Sequence, residues 1–163
     1  MKTVPVEIQH LYISPGHNFY GHHGQAAGEH PTRDVAGITC VAGRGVEGDR
    51  FFDYKPDFKG QITFFDAAVY RRLARELGRS PIEPSASRRN VILEGIDLNE
   101  LIGRCFSLGG IRFQGIEECR PCLWMDEAIG EGAEERLTGW GGLRAQILED
   151  GELVTGSAEL VVE

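Results

Sequence analysis

The chain has 163 residues, 41% of them hydrophobic and 26% charged, with a formal net charge of -8. That length suits one domain spanning residues 1–163, with a core buried without staples, and the composition is not that of a disordered chain. The acidic balance argues against a nucleic-acid partner, whose affinity needs concentrated Lys and Arg, and no apolar run is long enough to span a membrane. Residues 1–5 also lack the apolar centre of a secretory leader, so a cytoplasmic location is expected. Cys40, Cys105, Cys119 and Cys122 are too few for a disulfide scaffold and are expected to be reduced.

Val4, Val6 and Ile8 alternate with polar neighbours, which predicts a half-buried strand running on to Ile13 and broken at Ser14-Pro15-Gly16. Residues 17–33 are polar and glycine-rich and hold His17, His22, His23 and His30. No strand or helix spacing aligns those rings, so the segment reads as a surface loop. Residues 36–42 form a strand, and residues 43–48 then spell the glycine pattern of a dinucleotide-binding fingerprint. That fingerprint works only if a helix opens at its last glycine, and the aromatic, proline-stopped residues 49–56 have no helical period. The glycines are instead expected to make a tight loop that carries Asp49 and Arg50 to a defined place.

Residues 62–65 are a short apolar strand, and Asp66 is the N-cap of the clearest helix, which ends at Gly78. Its outer arginines read as a solvated face. After a proline-containing loop, Arg88-Arg89-Asn90 enters a strand at residues 91–93, and Arg88-Arg89 is the one basic cluster suited to a small anion. Asp97 to Glu100 has the form of a capping box over one helical turn closed by Gly103. Residues 105–108 and 111–114, joined by Gly109-Gly110, predict a hairpin. Residues 123–139 are mixed helical and acidic, and strands follow at 143–148, 152–154 and 160–162. Eight or nine short strands with two or three helices predict a mainly β fold, a barrel or strongly curved and partly closed mixed sheet.

The candidate site is Glu118-Cys119-Arg120-Pro121-Cys122, where an alternating strand gives way to the helix-like residues 123–129. Amide N–H groups at a helix start, with Arg120 beside them, favour the thiolate, which is the form that attacks and that binds metal. Two cysteines near a strand end also serve as small core hydrophobes. A thiol-redox or zinc site at Cys119 and Cys122 would need further ligands, such as Cys40, Cys105 or the loop histidines, and no second Cys-x-x-Cys exists.

The order of motifs, Gly45-Val46-Glu47-Gly48-Asp49-Arg50, Arg89-Asn90-Val91, Asp97 to Gly103 with Cys105-Phe106-Ser107-Leu108-Gly109, the cysteine motif, and Gly141-Gly142-Leu143-Arg144-Ala145, resembles the MOSC domain family. That family is named for the C-terminal domain of molybdenum-cofactor sulfurases, and the resemblance, to its short stand-alone bacterial form, covers roughly residues 35–157. It implies a β-barrel, the molybdenum cofactor (molybdopterin) as ligand, and a cysteine at the Pro-Cys position, Cys122, that ligates molybdenum or carries persulfide sulfur; Cys119 ranks second. It further implies a pyridoxal-phosphate desulfurase as the separate sulfur donor, with homodimerisation left open. Asp49, Arg50, Lys59, Arg88, Arg89 and Asn90 are the expected cofactor-binding residues, guanidinium and amide donors for a pterin phosphate. Many members carry His-Gly-Gly where this chain reads Lys59-Gly60-Gln61, which removes a proton donor and leaves Lys59 as a phosphate contact. The departure motivates an alternative, a non-catalytic binding domain on the same barrel.

Overall fold

The computed structural model describes residues 1–19 and 24–163. His22 and His23 of the polar loop lie outside the described residues. The strands are β1 (Lys2–Ile13), β2 (Arg33–Val35), β3 (Gly37–Val41), β4 (Gly45–Val46), β5 (Ile62–Asp66), β6 (Val91–Glu94), β7 (Cys105–Leu108), β8 (Ile111–Glu118), β9 (Leu143–Ile147), β10 (Gly151–Val154) and β11 (Gly156–Val162). The helices are α1 (Ala67–Leu77), α2 (Trp124–Ala128) and α3 (Ala133–Leu137).

Seven strands in the order β11-β7-β8-β9-β5-β6-β1 close into a mixed barrel through the β1–β11 pairing. The mainly β expectation holds, and the closure is complete rather than partial. The twelve residues of β1 make this possible: Lys2 to Ile8 pair with β11, Glu7 to Leu11 pair with β6 across a register shift between Ile8 and His10, and Leu11 to Ile13 pair with β2. β5 and β6 form the parallel pair, and β10-β3-β4 make a separate three-stranded sheet.

The apolar strand run at residues 62–65 is explained by burial on both faces. Phe64 points into the barrel, against Phe106 and Phe113 at centroid distances of 5.7 and 5.6 Å. Phe65 points outward with Ile92 and Tyr12, where Val69, Tyr70 and Leu73 of α1 and residues of α2 and α3 cover it. Asp66 caps α1 by accepting from the Ala68 N–H at 2.9 Å, and Gly78 ends it in the left-handed region.

The fingerprint glycines make a strand pair and a turn, with no helix after them. Asp97 caps a single 3₁₀ turn, Leu98–Leu101, but Glu100 forgoes the reciprocal bond and pairs with Lys2 at 2.7 Å. Among the described residues no helix is long and apolar enough to cross a membrane.

Candidate functional site

β8 delivers the cysteines through a bulge. Gly115 faces Ala145 while Glu117 faces Arg144, so Ile116 is the extra residue, and the shift aims Glu117, and two residues on Cys119, toward Arg144. Gly115 is required there because a Cβ would lie 2.0 Å from the Leu101 carbonyl oxygen. The Cys119 N–H donates to Gly142 O at 2.8 Å, and Gly142, at φ +99°, has no room for a Cβ against Phe64 O at 2.2 Å.

Cys119 and Cys122 both line a cavity of about 550 Å³. Cys119 is buried at 5% exposure and Cys122 is exposed. Residues 119–122 form no turn or bend, as expected for an Arg-Pro step that holds Arg120 extended. Both cysteines are free thiols. α2 starts only at Trp124, runs five residues and has no side-chain cap, so the helix start expected to sharpen these thiols contributes little. Guanidinium groups supply the positive field in its place.

Arg50, Arg88, Arg89 and Arg144 all line the cavity. Arg89 is buried and donates from Nε to Gly141 O at 3.1 Å, from one terminal nitrogen to Ser87 O at 3.0 Å and from the other to Cys119 O at 3.1 Å. Arg88, with a left-handed φ of +57°, donates to Gly16 O at 2.6 Å and to His30 O and the Thr32 hydroxyl at 3.3 and 3.2 Å. The Arg50 guanidinium lies 4.7 Å from the centre of the Phe51 ring and 3.4 Å from Asp49. Burial, with Arg89 adding to it against Asp49, lowers Arg50 below the usual guanidinium range. Burial and then Arg50 bring Arg88 down to about 10, with Asp49 opposing, so it stays charged at neutral pH. Burial and then Arg50 also lower His17, whose neutral ring packs edge-on to Phe51 at 5.0 Å.

Burial likewise draws Arg144 down, but the electrostatic pull of the neighbouring Cys119 sulfur, and then of Glu117 at 3.4 Å, outweighs that and holds it above the usual range. Aromatic rings form part of the remaining wall: Phe51 stacks on Phe58 at 5.1 Å, and Phe19 meets Trp124 at 5.2 Å.

Of the expected cofactor-binding residues, Arg50, Arg88 and Arg89 reach the cavity, and three do not line it. Asn90 is spent on the barrel, accepting from the Thr63 N–H and hydroxyl and donating to Tyr12 O. Asp49 is buried under the site, accepting from Ser14 N–H at 3.0 Å and Phe51 N–H at 3.3 Å. Lys59 is exposed and paired with Glu117 at 3.3 Å. Among the described residues no cluster of three or more His, Cys, Asp or Glu could hold a metal ion, and His22 and His23 lie outside that search. Sequence reasoning missed Arg144, Phe51, Phe58 and Trp124. The signal for Arg144 was Gly115, an isolated glycine within a strand, which marks a bulge.

No curated protein matches the chain significantly. Among solved structures, the YUAD protein from Bacillus subtilis superposes with a TM-score of 0.79 at 19% identity, covering 99% of this chain and 98% of that one. YiiM from Geobacillus stearothermophilus gives 0.67 at 17% identity, covering 97% and 75%, and YiiM from Escherichia coli 0.64 at 16%, covering 99% and 70%. These similarities carry the fold. The MOSC domain model matches residues 22–161, which hold every barrel strand but β1, both cysteines and the arginine cluster, and the chain belongs to the MOSC domain family.

Proposed function

We propose that the cavity binds an anionic cofactor of the molybdopterin class, with Cys122 as the metal ligand or as a persulfide-carrying thiol loaded by a separate desulfurase. One observation carries this reading. Among the described residues, three guanidinium groups, Arg50, Arg88 and Arg89, meet at a thiol-bearing cavity, and of the three Arg50 alone contacts a carboxylate, Asp49 at 3.4 Å. Buried charges are ordinarily paired, and an unbalanced cationic group beside a cavity suits an anionic guest.

The donor set fits such a cofactor. A thiolate is a soft ligand suited to a thiol-rich metal centre, guanidinium groups suit phosphate, and the Phe51–Phe58 and Phe19–Trp124 pairs offer flat faces to a planar ring. When bound, the group would supply a molybdenum centre for two-electron chemistry or a sulfur acceptor. Among the described residues, Arg50 makes one long hydrogen bond, to Asp49 at 3.4 Å, which leaves it donors for a phosphate. Arg88 and Arg89 give their N–H groups to backbone carbonyls and act through charge. Gln61, next to Lys59 and Gly60, accepts from the Ile147 N–H and brings no proton donor to the site, which favours cofactor or sulfur binding over a complete reductase.

The test is elemental analysis, pterin fluorescence and cyanide-labile sulfur on protein made in a host that synthesises the cofactor. Wild type should retain pterin or labile sulfur, and Cys122→Ser and Arg50→Gln should each lose most of it. Equal retention in all three proteins, or none of these groups in wild type, overturns the reading.

A further inference from the structure

The cavity contains a second sulfur, and its surroundings differ from those of Cys122. Cys119 is fixed at both backbone ends, by its N–H on Gly142 O and by Arg89 on its carbonyl. It shares the cavity wall with Arg144 and Arg50, and the pairing of Glu118 with Leu143 on β9 sets Arg144 beside it. Glu117 neutralises Arg144 only in part, because it is shared with Lys59 at 3.3 Å and lies 3.4 Å from Arg144. A neutral S–H gains little from two guanidinium groups, whereas an anionic sulfur gains a charge-assisted hydrogen bond from one and a counter-charge from the other.

We propose that Cys119 is a second sulfur-bearing station, which takes one sulfane sulfur atom and holds it as a perthiolate anion against Arg144. The inference deepens the sulfur-handling branch of the proposed function and needs no molybdenum. In the loading step the Cys119 thiolate attacks a terminal sulfur of a polysulfide. A new S–S bond forms at Cys119, the old S–S bond breaks, and a polysulfide dianion one sulfur shorter leaves with the electron pair. No other oxidant or reductant takes part. Burial shields the product from bulk thiols. Cys122, exposed at the mouth, is the thiol that an external donor meets first.

The experiment treats full-length Cys122→Ser protein with inorganic tetrasulfide, removes the excess, and follows cyanide-labile sulfur over time with the added mass mapped to a peptide. About one equivalent should map to Cys119. Adding Arg144→Gln should shorten its retention about tenfold, and Arg144→Lys should restore a good part of it. Circular dichroism confirms that each variant is folded, and the lysine variant carries the test should the glutamine one be unstable. Absence of sulfur at Cys119, or retention independent of residue 144, overturns the proposal. Loading of Cys119 in a protein that never retains pterin would remove the cofactor reading and leave this one standing. Pterin retention without loading would do the reverse.

Discussion

Arg89→Met tests whether the guanidinium is the knot that ties the site to the barrel. The side chain is 8% exposed and serves three carbonyls, those of Gly141 before β9, Ser87 before β6 and Cys119 after β8. Orphaning a buried acceptor costs about 1–3 kcal/mol, so three orphaned carbonyls set an upper range of roughly 3–9 kcal/mol. Water entering from the adjoining cavity should serve some of them. The methionine stem keeps part of the packing, and losing one of three crowded cations relieves repulsion. The expected loss is therefore about 3 kcal/mol, a large share of a typical domain's stability, and Arg89→Lys should lose about half as much because one ammonium reaches fewer carbonyls. Urea unfolding gives the difference, and alkylation of Cys119 should accelerate in parallel as its carbonyl anchor is released. A loss below about 1 kcal/mol for the methionine variant would mean that the carbonyls find other donors, and the account of how the site is held would be wrong.

Asp49→Asn keeps an acceptor for the Ser14 N–H but removes the negative charge beside Arg50, so inorganic phosphate should bind roughly tenfold tighter at low salt by calorimetry; unchanged or weaker binding would discredit the cationic excess as the recognition feature. Burial, with Glu94 and Asp97 adding to it, raises Asp66 above 3.8 in the folded chain, so from there up through the raised value the unfolded chain releases its proton first and stability falls as pH rises. Asp66→Asn preserves the N-cap and should flatten that slope in urea unfolding between about pH 4 and pH 7, and a slope equal to wild type would rule out Asp66 as its source. Gly115→Ala forces a Cβ to within 2.0 Å of Leu101 O, a backbone atom that cannot swing aside, and should cost about 3 kcal/mol or more. A melting temperature within a degree or two of wild type would show that the bulge is not what aims Cys119.

What could be read from the chain alone was what repeats locally. The alternation in β1, the Gly109-Gly110 turn with φ of +58° and +80°, and the Asp66 to Gly78 helix are each set by a few adjacent residues. β2 and β4 were missed because two- and three-residue strands are too short to show alternation and take their place from pairing, Ile13↔Arg33 and Cys40↔Val46. β11 starts at Gly156 rather than 160 for the same reason, since its first residues are held by β1 across the barrel closure. At the site, the residue types were legible and their duties were not. Asn90 and Arg89 are adjacent in sequence, yet one faces the barrel seam and the other the cavity. Asn90 is bound on two sides by Tyr12 and Thr63, which only the folded register brings together.

The way this protein distributes its charge also argues for an anionic guest. It has 25 acidic residues against 17 basic ones, so carboxylates are in ample supply. On the surface they are used as expected, with Arg71 on Glu94, Arg44 on Asp53 and Arg112 on Glu163, all exposed pairs of small energetic consequence. At the cavity the pattern inverts. Arg88 and Arg89 satisfy their donors with backbone carbonyls and the Thr32 hydroxyl, which are neutral, and so meet the hydrogen-bonding demand of burial without cancelling the charge. A fold selected for stability alone would place an aspartate or a hydrocarbon there, since an uncompensated buried cation is among the costliest arrangements a core can hold. Keeping the hydrogen bonds while withholding the counter-charge reserves the electrostatic attraction for a molecule from outside. Anion binding should therefore stabilise the chain more than its contact area suggests, with phosphate raising the unfolding midpoint where chloride at equal ionic strength does not.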